Sequence, residues 1–165
     1  MKHNWARWLV GICLGISLVM SAYLYLYPTH FSAKARLAQR MKVDPGTYIE
    51  VTNLEEKAGN SVILSPQEME RVDKLANHSN RYIRDHAVGT LRFITGGKQR
   101  LDAIRIATSS LGDTGYEIRI LALKALVRLH APNTQGAIQR LLHDENRKVR
   151  SASAEIAQEV KGNGA

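Results

Sequence analysis

Three segments of the chain share one helical register. Ile83, Arg84, Ala87, Leu91 and Ile94 recur as Ile118, Arg119, Ala122, Leu126 and Leu129, and again as Val149, Arg150, Ser153, Ala157 and Val160. The copies are displaced by 35 and then 31 positions. Within each copy the apolar residues fall on one face of a helix. A further helical segment precedes each: "SPQEMERVDKLANH", "GKQRLDAIRIATSSL" and "APNTQGAIQRLL". A unit of two short helices cannot cover its apolar stripe alone and must stack on its neighbours. The register therefore predicts an all-α fold from residue 65 to about 161, a solenoid of three helical hairpins.

The local signals agree with that register. Ser65 followed by Pro66 and Glu68 reads as a helix start. The central "IRILALKALVRL" is apolar on nearly every side, whereas the terminal "RSASAEIAQEVK" is apolar along one stripe only. A middle unit covered on both sides, followed by an end unit facing water, produces this contrast.

Each of the last two units also places an aspartate six residues before an arginine: Asp113 with Arg119, and Asp144 with Arg150. On these residues, and on the three concordant copies including Arg84, the segment resembles the HEAT repeat family, particularly its short bacterial HEAT-like members. The resemblance implies that the acid caps the second helix and that the arginines form a ladder with acids of adjoining repeats. An acid just before a helix can accept orphan backbone N–H groups and meets the positive end of the dipole. The first copy departs from the pattern, with His78 where the acid would stand and Asn77 and Ser79 as substitutes, so a weaker cap is expected there.

Upstream, residues 8–27, "WLVGICLGISLVMSAYLYLY", carry no charge. Twenty residues of helix span about 30 Å, the thickness of a bilayer core. Trp5 and Trp8 at one end and Tyr23, Tyr25 and Tyr27 at the other suit the headgroup level. The sequence thus predicts a single transmembrane helix, in preference to a cleaved signal peptide or to lipoprotein processing at Cys13. Gly11 and Gly15 have the spacing that lets two such helices pack closely, so homodimerisation is open. Lys34, Arg36, Arg40 and Lys42 follow the span with no acid before Asp44, which favours the cytoplasmic side for the downstream domain and offers contact with anionic lipid, while the short basic N-terminus with Lys2 and Arg7 leans the other way. Asp44-Pro45-Gly46 reads as a helix breaker, and "TYIEVT" and "SVIL" read either as a small β-hairpin or as irregular linker. The expected organisation is a tail over 1–7, the span over 8–27, a basic juxtamembrane segment and linker over 28–64, the repeat domain over 65–161 and a disordered tail over 162–165.

Residues that could carry chemistry are scattered. The six histidines form no metal-ligand spacing, and no nucleophile-elbow, phosphate-loop or zinc-protease pattern occurs. No cofactor, metal or catalytic site is expected, although some HEAT-like proteins resemble bilin lyases. What remains is surface. Arg92, Ile120, Lys124, Val127 and Glu155 fall opposite the core stripe and define a candidate partner-binding face. Arg81, Arg147 and Lys148 begin second helices and define a candidate anion-binding edge, with pairing to Asp144, Glu145 and Glu117 as the alternative. The chain carries a net charge of +8. From residue 65 onward 16 Lys and Arg face 11 Asp and Glu without a dense patch, which argues against nucleic acid. The expected function is a membrane-anchored scaffold or adaptor for another protein; the alternative is a membrane-tethered binder of nucleic acid or anionic lipid.

Overall fold

The computed structural model describes residues 33–162, and two compact units meet at Pro45 and Gly46. In the first unit, α1 covers residues 33–40. It ends with Lys42 in the left-handed region at φ 55 and with the Val43 N–H donating to the Ala38 carbonyl at 3.0 Å.

Among the described residues the second unit holds seven helices: α2 (Pro45–Gly59), α3 (Pro66–Ala76), α4 (Arg81–Thr90), α5 (Gly97–Ser110), α6 (Tyr116–Arg128), α7 (Thr134–Leu141) and α8 (Arg147–Gly162), with a 3-10 turn over Leu91–Phe93. From α3 on, the helices pack as consecutive pairs: α3 with α4, α5 with α6, α7 with α8. Second helices also pack side by side, α4 on α6 and α6 on α8, while α3 packs on α5. The core lies between the two layers. Ile83, Ala87, Val88 and Leu91 fill it from the first pair, Ile106, Ile118, Ala122 and Leu126 from the second, and Ile138, Val149 and Ile156 from the third. Covered by neighbours on two sides, α6 buries Ile118, Arg119, Ala122, Leu123, Ala125 and Leu126, whereas α8 buries only Val149, Ser153 and Ile156.

Local chemistry sets the helix ends. Ser65 and Glu68 form a reciprocal capping box with Pro66 at the first helical position. The Leu91–Phe93 turn ends α4 early, and the chain then reaches Gly97 at φ +66, where a side chain would be strained. At the end of α6, Arg100 donates from Nε to the Leu129 carbonyl and from Nη2 to the His130 carbonyl, both at 2.9 Å. These bonds satisfy terminal carbonyls that the helix itself leaves open.

Two expectations from the sequence are corrected. No strand occurs among the described residues, so the β-hairpin is absent: "TYIEVT" lies inside α2. Tyr48, Val51, Leu54 and Ala58 are its buried residues, at a spacing that forms one helical stripe, and packing of that stripe overrides the β-propensity of the individual residues. Pro45, read as part of a breaker, is instead the first residue of the helix, where its missing N–H costs nothing. Ion pairs join α2 to the pair that follows, with Glu50 to Arg71, Lys57 to Glu68 and Glu55 to Arg92, and Glu55 is also hydrogen-bonded with His86. The second correction concerns the membrane. Among the described residues no helix is long and apolar enough to cross one, so the structure does not support a single-pass membrane protein with a cytoplasmic domain. The expected span over 8–27, with Gly11 and Gly15, lies outside the described residues.

Candidate functional site

The turns between the two helices of each pair lie along one edge, and the repeat arginines organise it. Arg84 Nε and Nη2 donate to Asp113 Oδ2 and Oδ1 at 2.7 and 3.0 Å. One pair further on, Arg119 Nε and Nη2 donate to Asp144 Oδ2 and Oδ1 at 2.9 and 2.7 Å. Both contacts are two-pronged and join neighbouring pairs. Side-chain exposure is 13% and 10% for Arg84 and Asp113, and 7% and 8% for Arg119 and Asp144. Such sheltered, planar, doubly hydrogen-bonded contacts are the strong kind.

The six-residue interval within a repeat has a separate cause. Arg119 Nη1 donates to the backbone carbonyl of Asp113, six residues back, at 2.7 Å. Arg84 makes the same bond to the His78 carbonyl and Arg150 to the Asp144 carbonyl, each at 2.8 Å. Each arginine thus holds the turn before its own helix through the main chain, and it reaches the next pair through the carboxylate.

The aspartates do not cap helices in the way the family resemblance implies. Asp113 Oδ1 accepts the Gly115 N–H at 2.7 Å and Asp144 Oδ1 accepts the Asn146 N–H at 2.8 Å, both ahead of the first helical residue. Helix capping falls to Asn80, whose Oδ1 accepts the Tyr82 N–H, and to Asn146, whose Oδ1 accepts the Lys148 N–H, both at 2.9 Å. In the first copy His78 Nδ1 accepts the Asn80 N–H at 3.0 Å, so an imidazole nitrogen takes the place of the carboxylate oxygen in the turn. Asn80 and Asn146 were overlooked in sequence, although asparagine directly before a helix is itself a capping signal.

Electrostatics reinforces these rungs. Burial alone would raise the Asp113 carboxyl. The hydrogen bonds from Arg84 and Gly115 and the charges of Arg84 and Arg119 outweigh it and hold the group below its ordinary value. Asp144 follows the same balance: burial opposes, while Arg119, the Asn146 N–H and the charge of Arg150 prevail. The hydrogen bond to Asp144 correspondingly raises Arg119.

The remaining candidates divide. Arg81 lies 3.4 Å from Glu117 and over the Tyr82 ring at 5.3 Å, and Lys148 donates to the Tyr116 hydroxyl at 3.1 Å. These two members of the anion-binding edge thus have partners across or along the stack, and Arg147 is exposed. On the partner-binding face, Ile120 and Val127 are partly buried and Lys124 and Glu155 are exposed. Arg92 donates to Glu55 at 3.2 Å and stacks 4.7 Å above Phe93. Among the described residues no group of three metal-ligating side chains converges.

Comparison with protein-family models, with curated proteins and with solved structures finds no match.

Proposed function

We propose that the chain is a protein–protein interaction scaffold, a short α-solenoid of three HEAT-like hairpins. The observation that carries the reading is the outward ridge of α6, the helix flanked by α4 and α8. There Ile120 and Val127 stay partly accessible on either side of exposed Lys124, one turn apart in each direction. An apolar pair bordered by charge, on a helix held rigidly from both sides, suits the docking of an amphipathic segment. The doubly hydrogen-bonded rungs support the same reading, because they hold the pairs at a set spacing and so keep the ridge preorganised.

Co-precipitation with the full chain tests the ridge. A partner recovered by the wild type is expected to be lost with Ile120→Asp and with Val127→Asp, both melting as the wild type does. A partner retained by both variants would end the assignment of this face.

A further inference from the structure

Each repeat arginine uses its guanidinium in two directions. Nη1 points back to backbone carbonyls of its own turn: His78 and Ser79 for Arg84, Asp113 and Thr114 for Arg119, Asp144 and Glu145 for Arg150. Nε and Nη2 point forward, and on Arg84 and Arg119 they grip the aspartate of the next pair. Arg150 has the first half of this arrangement without the second. Its Nη1 bonds, at 2.8 and 2.9 Å, hold the guanidinium, while its Nε and Nη2 have no partner among the described residues.

We propose that this free edge of Arg150 docks an acidic segment of another protein, one that presents an aspartate just ahead of a helix in the form Asp-x-Asn or Asp-x-Gly. The form follows from the two occupied rungs, where Asp113 and Asp144 each accept the N–H of the residue two further on, Gly115 and Asn146, and turn both carboxylate oxygens to the fork. A guanidinium already held by two carbonyls loses little freedom on binding, which is what preorganisation contributes. Charge agrees: Arg147 and Arg150 are both exposed at the start of α8, so the edge attracts a negative segment. Glu145, 87% exposed, lies 3.6 Å from Arg119. A second copy of this chain does not fit, because its own Asp113 and Asp144 are engaged and its first turn carries His78.

The proposal concerns a different surface from the α6 ridge. Ile120→Asp should leave it intact, so failure of either reading is seen separately. Panning a random peptide library against the immobilised full chain tests it. Enriched peptides are expected to carry Asp two residues before Asn or Gly. In titration calorimetry, changing that Asp to Asn should weaken an enriched peptide at least tenfold, as should Arg150→Gln. Arg150→Lys should lose as much, because an ammonium cannot present two parallel N–H groups. The peptide-side change leaves the protein untouched and is decisive even if an Arg150 variant folds poorly. Enrichment without acidic residues, no enrichment, or binding indifferent to the peptide Asp would overturn the proposal. So would an oligonucleotide that displaces the peptide and shows the same dependence on Arg150, which would reassign the fork to phosphate.

Discussion

Replacing Arg119 by methionine keeps an apolar stem of similar length but removes the guanidinium. Four hydrogen bonds disappear: two to Asp144, at 2.9 and 2.7 Å, and one each to the Asp113 and Thr114 carbonyls, at 2.7 and 3.4 Å. The Asp144 side chain, 8% exposed, is left with the Asn146 N–H and the charge of Arg150, without a paired guanidinium. Stranding one member of a buried ion pair costs about 3–5 kcal/mol. Arg150→Met supplies the internal comparison. That arginine is exposed and, among the described residues, makes its two carbonyl bonds alone, so about 1 kcal/mol is expected. Urea unfolding followed by helical circular dichroism reads the difference. With a slope of ~2 kcal/mol per molar urea, Arg119→Met should lower the midpoint by about 2 M and Arg150→Met by about 0.5 M. The double variant Arg119→Met with Asp144→Ala should lose less than the sum of its parts, because it removes the stranded charge as well. If the two arginine variants cost the same, or if the cycle adds to within about 0.5 kcal/mol, the rungs do not couple the pairs and the reasoning fails.

Three further outcomes follow from the same geometry. Ser153 is fully buried and its Oγ has no hydrogen-bond partner among the described residues, at the register position held by Ala87 and Ala122; Ser153→Ala should therefore raise stability by about 1 kcal/mol in the same urea assay. A Cβ at Gly89 would come within 2.9 Å of Glu55 Oε1, and Glu55 is pinned by His86 at 2.6 Å and Arg92 at 3.2 Å. Gly89→Ala should thus fail to deliver the usual helix gain of about 1 kcal/mol in the wild type and recover it in a Glu55→Ala background; equal effects in both would refute the clash. Asp113 and Asp144 have carboxyl pKa values lowered by folding, so their stabilisation is complete above the ordinary aspartate value of about 4 and is lost as pH falls through the lower folded values. Urea midpoints should drop below about pH 4, and Asp113→Asn with Asp144→Asn should flatten that limb.

Much of the helical layout was legible in the sequence because a strict helical register, repeated three times, leaves few other ways to bury the same residues. The edge was legible only in outline. The Asp–Arg interval was visible, but half of its meaning is a main-chain bond, from Arg119 to the Asp113 carbonyl, which residue identities do not announce. The capping role assigned to Asp144 belongs to Asn146, and α6 begins after Gly115 with no side-chain cap, because the carboxylates are drawn to arginines of a neighbouring pair. The Thr47 run was misread for a different reason. Its β-prone residues contain a helical stripe as well, and only the partners available to bury that stripe decide between the two.

From residue 65 onward the sequence by itself determined how the helices alternate, since apolar spacing and the Ser65-Pro66 start are local properties of the chain. Tertiary structure decided which carboxylates Arg84 and Arg119 reach and that α2 is bonded to the pair that follows it. These are set by distances between residues roughly thirty positions apart, and such distances exist only once the pairs have stacked.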